Sequence, residues 1–194
     1  MVDAVFENRE IAKKKTTLFD LMNLSSHKYF LVTAHRAENV DMKENLGNII
    51  SGLSRLSDIY GNLVIFPMHP RTQKMMKEFG IAAEGITIIQ PAGYMDFMQL
   101  EGQARLILTD SGGVQEEACI LGVPCVPLRE NTERPETIDV GGNLLAGTSA
   151  DRIVEATEEM LKTKRKWKNP YGDGKAGERI VRICSDAIAG KTGR

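Results

Sequence analysis

The chain has 194 residues, of which 42% are hydrophobic and 26% charged, with a formal net charge of −1. This composition is that of one ordinary globular domain, so a single domain is expected over residues 1–194. The near-neutral charge gives no support for a nucleic-acid-binding tail or a membrane-surface patch, and no apolar run is long enough to span a bilayer.

Short apolar runs alternate along the chain with longer segments of helical periodicity. A leading helix is predicted over roughly residues 4–22 and a closing helix over roughly residues 175–188. Buried strands are predicted at residues 29–33, 63–66, 86–89, 105–109 and 125–128, with a weaker sixth at 143–146. Strand–helix alternation predicts an α/β fold: a doubly wound, mainly parallel sheet of about six strands with helices on both faces.

Loops that follow the predicted strands are rich in polar, charged and glycine residues. They cover residues 34–39, 67–71, 90–94, 110–113 and 129–135, and they contain two of the three histidines. In an open parallel sheet the ligand binds outside the carboxyl ends of the strands. We therefore expect the functional residues in these loops.

The strongest local signal is the turn Ser111-Gly112-Gly113, where a predicted strand ends and a helix begins. Exposed backbone N–H groups and the helix dipole at such a point favour a phosphate, and the Ser111 hydroxyl adds a donor. Glu117 follows more than one turn later, and its carboxylate is suited to accept hydrogen bonds from both hydroxyls of a ribose. The alternative is an ordinary helix start with Ser111 as N-cap.

The loop after the first strand combines His35, Arg36 and Glu38. An imidazole exchanges protons near neutral pH, and a guanidinium can bind a phosphate or carboxylate through two hydrogen bonds. The alternative is a solvated loop in which Arg36 pairs with Glu38. His69 is either a site residue at the end of the second strand or a loop histidine that bonds local backbone. Histidine spacing gives no support for a metal site at His35 and His69, so no metal is expected.

Two further loops hold candidate ligand contacts. Arg134 lies in a charged loop. This loop and the Ser111 turn follow strands that are expected to be neighbours, which would bring Arg134 to the phosphate bound at the turn. The alternative is a surface loop with internal ion pairs. Tyr94 and Phe97 open the helix after the third strand, where either ring could pack on a uracil or in the core.

The three cysteines show no CxxC spacing, and Cys119 and Cys125 lie in apolar stretches. We interpret them as buried free thiols, which predicts a reducing, cytoplasmic location rather than a metal site or a disulfide framework.

Four segments, taken in order, resemble a known family. Residues 32–39 (VTAHRAEN), 67–70 (PMHP), 109–117 (TDSGGVQEE) and 132–136 (TERPE) resemble the non-hydrolysing UDP-N-acetylglucosamine 2-epimerases, and the resemblance extends through residues 169–174. Each motif alone is modest in specificity, whereas the ordered set is characteristic.

The resemblance implies one Rossmann-like half of a GT-B fold, with the family's N-terminal domain missing from this chain. It implies interconversion of UDP-N-acetylglucosamine and UDP-N-acetylmannosamine by elimination of UDP to 2-acetamidoglucal and its re-addition, with a homodimer as the usual full-length assembly. No motif in the sequence indicates a nicotinamide cofactor, so no cofactor is expected. By position the resemblance places His35 at the reacting centre, and it assigns UDP binding to His69, Ser111, Gly112, Gly113, Glu117 and Arg134 and a possible second UDP-sugar site to Arg36 and His69. From the residues themselves we add Glu38 as a second catalytic candidate and Phe97 as a further UDP contact.

Several alternatives remain open at this point. A hydrolysing 2-epimerase or a relative that acts on diacetamido uronic acid substrates would differ mainly in the missing half. A GT-B glycosyltransferase also binds a phosphate at a helix start, although the loop at residues 34–39 favours an epimerase. A stand-alone domain that binds UDP is the third alternative.

Overall fold

One parallel sheet organises the chain, whose computed structural model describes residues 1–15, 18–61 and 63–190. Its strands are β1 (Tyr29–Thr33), β2 (Leu63–Pro67), β3 (Ile86–Ile89), β4 (Leu106–Thr109) and β5 (Cys125–Pro127). Their order is β3-β2-β1-β4-β5, and every neighbouring pair is parallel. The predicted doubly wound parallel sheet is therefore confirmed.

The predicted sixth strand at residues 143–146 is the one part of the sheet that differs. The segment lies beside β5, where Leu144 N donates to Cys125 O at 3.1 Å and Ala146 N donates to Pro127 O at 3.0 Å, but it forms only one isolated bridge, from Asn143 to Cys125. Gly141 and Gly147 bound it in left-handed conformations, with φ of 75° and 66°. The chain turns at both ends, so the described residues form five strands rather than about six.

Helices connect and cover the strands. They are α1 (Val2–Lys15), α2 (Leu18–Leu21), α3 (Ala37–Val40), α4 (Lys43–Tyr60), α5 (Pro70–Phe79), α6 (Tyr94–Gln103), α7 (Gly112–Leu121), α8 (Pro135–Asp139), α9 (Ala150–Lys162) and α10 (Ala176–Ile188). The predicted leading helix corresponds to α1 and α2, between which residues 16 and 17 lie outside the described residues. The predicted closing helix is α10. No helix in the described ranges is long and apolar enough to cross a membrane.

Alternate residues of each strand lie in two different apolar layers, because successive side chains of a strand point to opposite faces of the sheet. On one face Phe30 and Leu108 pack with α4, α5 and α9, in a core that includes Leu53. On the other face Leu31 and Ile107 pack with α6 and α7, and α1 covers those two helices from outside. Both faces of the sheet are covered, which explains the continuously apolar strands.

Helix α10 lies outside both layers. None of its residues is buried, and Ile180, Val181, Ile183 and Ile188 are all exposed. Near its start, Gly177 N donates to the Asp3 carboxylate at 3.0 Å. The helix thus presents an apolar stripe that the described part of the chain leaves uncovered.

Candidate nucleotide site

A cleft opens at the carboxyl ends of the central strands. Strand β1 continues to β2 on one side, whereas its other neighbour β4 continues to β5 on the opposite side, so the strand order reverses between them. Ligands of doubly wound sheets bind at this reversal. A cavity of about 200 Å³ lies there, lined by Thr33, Ala34, His35, Pro67, His69, Pro91, Ala92, Phe97, Ser111 and Val114. Of the predicted site residues, the cleft collects His35, His69, Phe97 and Ser111.

The start of α7 forms one wall of this cleft. Ser111 is the N-cap of α7, as the alternative interpretation predicted, but its hydroxyl accepts from Val114 N over a long 3.5 Å. A Cβ on Gly112 would meet only Glu133 Oε2 at 3.6 Å, and one on Gly113 only Ser111 Oγ at 3.9 Å, which are ordinary contacts. Neither φ nor packing within the chain therefore requires these two glycines. Open space above the backbone N–H groups is what a phosphate at this turn needs.

Asp110, immediately before the turn, ties the loop after β1 to the end of β4. The side chain is fully buried, and Oδ2 accepts from His35 N at 2.9 Å, from Arg36 N at 2.8 Å and from Asn39 Nδ2 at 3.2 Å. Sequence reasoning gave Asp110 no role. The available signal was an acidic residue directly at the end of a buried strand, where a charge needs several donors.

The two histidines face each other across the cleft, with ring centroids 6.0 Å apart. His35 Nδ1 lies 3.4 Å from Asp110 Oδ1, and the imidazole is 45% exposed. His69 Nδ1 accepts from Arg71 N at 3.1 Å and so caps α5. Neutral His69 therefore carries its proton on Nε2. His69 bonds local backbone as the cap of α5 and also lines the cleft, and its role as a site residue stays a prediction.

Glu38 and Arg36 belong to a separate charged network. Arg36 Nη1 lies 3.8 Å from Glu38 Oε1 and 3.6 Å from Glu133 Oε1, while the buried Arg129 donates to Glu133 through Nη1 at 2.6 Å and Nη2 at 2.9 Å. These Arg129 hydrogen bonds lower the pKa of Glu133 to about 2. The network matches the alternative of a loop with internal ion pairs, although Arg36 has Glu133 beside it as well as Glu38.

A polar cavity of about 490 Å³ next to this network is lined by Glu38, Asn39, Asn45, Arg129, Glu130, Asn131 and Thr148. The structure thus places His35 and Glu38, the two predicted catalytic residues, in different cavities. Arg36 and His69 were predicted to share a second UDP-sugar site, but His69 lines the cleft and Arg36 does not. Both assignments remain predictions. The sequence does not show in which direction each side chain of this loop points, and two positions only three apart face different cavities.

Glu117 lies deeper, on α7. It is 9% exposed, and the hydroxyl of Tyr94 donates to its Oε1 at 3.1 Å. Burial raises the pKa of the Glu117 carboxyl, and burial together with the Glu117 charge raises the pKa of Tyr94 to about 12. The Tyr94 hydroxyl is therefore engaged with Glu117, whereas Phe97 is the ring that lines the cleft.

Arg134 is held beside α7 by a carboxylate. Its guanidinium forms a close ion pair with Glu116, and its Nη1 donates to Glu133 O at 2.9 Å. Glu116 is four residues beyond Gly112, about one helical turn from the predicted phosphate position. A phosphate at the turn would compete with Glu116 for Arg134. Within the described ranges, no group of three or more His, Cys, Asp or Glu side chains is placed to hold a metal ion.

Comparison with known proteins identifies relatives of the whole domain. A family model described as UDP-N-acetylglucosamine 2-epimerase matches residues 1–185. The chain is 53% identical over 192 residues to the UDP-N-acetylglucosamine 2-epimerase of Methanocaldococcus jannaschii, covering 95% of this chain and 52% of that protein. A crystal structure of the M. jannaschii UDP-GlcNAc 2-epimerase in complex with UDP-GlcNAc and UDP has a TM-score of 0.86 at 53% identity, covering 95% of this chain and 52% of that one.

A less similar relative, the UDP-2,3-diacetamido-2,3-dideoxy-D-glucuronate 2-epimerase of Pseudomonas aeruginosa, is 40% identical over 154 residues, covering 79% of this chain and 43% of that protein. The chain therefore spans about half the length of the curated relatives it matches. The described domain is a Rossmann-like half of a GT-B fold, as the resemblance implied.

Proposed function

Because this chain belongs to the UDP-N-acetylglucosamine 2-epimerase family, we propose that it is the UDP-binding half of an enzyme that interconverts UDP-N-acetylglucosamine and UDP-N-acetylmannosamine. The observation that carries the proposal is the open start of α7 at the reversal of strand order, with Glu117 buried about a turn and a half beyond Ser111. A second half would supply the opposite wall of the cleft.

In this proposal the diphosphate of UDP binds at the Ser111-Gly112-Gly113 turn. Backbone N–H groups and the α7 dipole offset its charge, and the Ser111 hydroxyl, which accepts from Val114 N over 3.5 Å, can donate its proton to a phosphate oxygen. The Glu117 carboxylate accepts from the ribose hydroxyls. Arg134 moves from Glu116 to the phosphate, and Phe97 and His69 contact the nucleotide from the opposite side of the cleft.

A base removes the proton from C2 of the sugar, the electrons of the C2–H bond form a C1=C2 double bond, and the C1–O bond breaks with its electrons leaving on UDP. Re-addition of UDP with a proton delivered to the other face of C2 gives the epimer. We assign the base in this half to His35 rather than Glu38, because His35 lines the cleft and Glu38 lines the neighbouring polar cavity. The start of α7 stabilises the leaving diphosphate electrostatically.

One observation supports a second half of the enzyme, and another supports a cytoplasmic location. The exposed apolar stripe on α10 is a surface that a second half would cover. Cys119, Cys125 and Cys184 are free thiols, which favours a reducing cytoplasm. The homodimer implied by the resemblance stays a prediction for the full-length protein, to be checked by its mass in solution.

Calorimetric titration with UDP tests the proposal directly, comparing the chain with Glu117→Ala and with Glu155→Ala, an exposed glutamate on α9. We expect weak binding, because half of the clamp and its preorganisation are missing. Glu117→Ala should weaken binding about tenfold or more, the value of one to two lost hydrogen bonds to a charged group. Glu155→Ala should change it less than about twofold.

An assay for UDP-N-acetylmannosamine on the same samples completes the test. We expect no turnover by this chain alone and turnover after a matching N-terminal half is added. Absence of UDP binding at millimolar concentration would refute the nucleotide site. Epimerisation by this chain alone would refute the division into two halves, and sugar transfer to an acceptor would favour a glycosyltransferase.

A further inference from the structure

A second carboxyl group lies behind Glu117, in the core between α6 and α7. Glu101, on α6, is fully buried, within hydrogen-bonding reach of the Glu117 carboxyl. It is not among the residues that line the cleft or the neighbouring polar cavity. Sequence reasoning gave Glu101 no role, and a buried glutamate needs a physical explanation because burying an unpaired charge is costly.

The hydrogen-bond donors around Glu101 and Glu117 indicate how two carboxyl groups can lie side by side in the core. Among the described residues no N–H or O–H group donates to either oxygen of Glu101. Glu117 has a donor, the Tyr94 hydroxyl at 3.1 Å. Two adjacent ionised carboxylates would repel each other in the core, with only acceptors facing acceptors. One proton shared by the pair removes the repulsion and creates the missing donor.

Among the described residues, no cation contributes to the electrostatics of Glu101. Tyr29 on β1 uses its hydroxyl to donate to Leu100 O at 2.5 Å, and the Cys125 thiol on β5 is also buried near Glu101. Glu116 adds a further negative charge near Glu117, and Tyr94, whose own neighbours include Asn8 on α1, is neutral. These surroundings raise the pKa of Glu101 well above its usual range, chiefly through burial and then through the Glu117 charge.

We propose that Glu101 is a positioning residue that keeps its proton at neutral pH and donates a hydrogen bond to the ionised Glu117 carboxylate. The proton belongs on Glu101 because Glu117 already accepts from Tyr94 and is the less buried of the two. Held by Tyr94 and Glu101, the Glu117 carboxylate has a fixed orientation and remains an acceptor for two hydroxyl groups. The inference rests on the proposed function, since it orients the group assigned to the ribose.

Two substitutions separate the hydrogen bond from the packing. Glu101→Gln keeps size and offers an amide donor to Glu117, whereas Glu101→Leu keeps bulk and offers none. We expect UDP affinity within about threefold of the unmodified chain for Glu101→Gln and a loss of about tenfold for Glu101→Leu, which is one charge-assisted hydrogen bond. Thermal melting of all three proteins verifies that each is folded.

Titration of affinity with pH supplies a readout that packing alone would not change. It begins at about pH 8, roughly two units above the second phosphate ionisation near pH 6, where that ionisation is complete. Affinity of the unmodified chain should fall as the pair loses its proton, because the raised pKa means that the favourable protonated form exists only below it. Glu101→Gln has no such proton to lose, so its affinity should stay flat over the same range.

Infrared difference spectroscopy detects the proton without any ligand. We expect a carboxylic acid C=O band at neutral pH that disappears in Glu101→Gln. Absence of that band, equal losses of affinity in the Gln and Leu variants, or an unchanged pH profile in Glu101→Gln would each overturn the inference. If the unmodified chain fails to bind UDP, the proposed function falls, while the infrared band still decides where the proton lies.

Discussion

Replacing Asp110 by asparagine is the sharpest test of how the site is built. The Asp110 carboxylate is fully buried and receives two backbone N–H groups and one amide from the loop after β1. An asparagine can place its single oxygen toward these donors. Its NH₂ group then faces His35 N, which now lies 3.1 Å from Asp110 Oδ1. The variant therefore loses the charge and gains a donor that faces another donor.

The expected cost follows from the hydrogen-bond count. A hydrogen bond to a charged group contributes about 1.5–3 kcal/mol and a neutral one about 0.5–1.5 kcal/mol, so each of the three bonds weakens by roughly 1 kcal/mol. Asp110→Asn should lower the free energy of unfolding by about 3 kcal/mol. For a domain of this size the melting temperature would fall by roughly 6–12 °C.

Urea denaturation followed by circular dichroism measures the difference. Asp58→Asn is the matched control, because Asp58 is exposed on α4 and its replacement should stay within about 0.5 kcal/mol. A loss below about 0.5 kcal/mol for Asp110→Asn, equal to the control, would refute the view that this carboxylate holds the two loops together.

Two further measurements address thiol burial and helix packing. Cys184 is exposed while Cys119 and Cys125 are buried, and burial raises the pKa of the Cys119 thiol to about 11. A thiol reagent should therefore label one cysteine quickly in the native chain and all three in denaturant. Rapid labelling of more than one cysteine in the native chain would contradict this burial. On α4, the new Cβ of Gly47→Ala meets no neighbouring atom, so this variant should stabilise the folded chain by about 0.5–1 kcal/mol. Gly52→Ala places its Cβ 3.2 Å from Ile153 and should stabilise the fold less or destabilise it. Thermal unfolding compares the two variants, and equal stabilisation would show that α4 and α9 approach less closely than described.

Features that depend on a local pattern could be predicted from the sequence. Strand β1 is a continuous apolar run because helices cover both of its faces. The Ser111 turn could be placed because a strand, two glycines and a helix start follow one another directly. The same reasoning gave a sixth strand at residues 143–146, since an apolar run does not reveal that left-handed glycines bound it.

Features that depend on distant residues could not be predicted in the same way. Asp110 meets His35 N across 75 positions of the sequence, and Glu101 meets a residue of the next helix. The separation of Glu38 from His35 depends on side-chain direction within one short loop. In each case the sequence shows the chemical group, but only the packing of separate elements shows its partner.

Helix α10 also has a consequence for hydrogen exchange. Near its start Gly177 N donates to the Asp3 carboxylate of α1, but none of its side chains is buried in either layer. A helix of 13 residues without tertiary packing is marginal in water. Its amides should therefore exchange through local opening at a free energy near zero, whereas amides of the sheet exchange only through far larger openings. If another surface packs on α10, amide exchange along the helix should become slow, and the protected residues would show which part of the helix is covered.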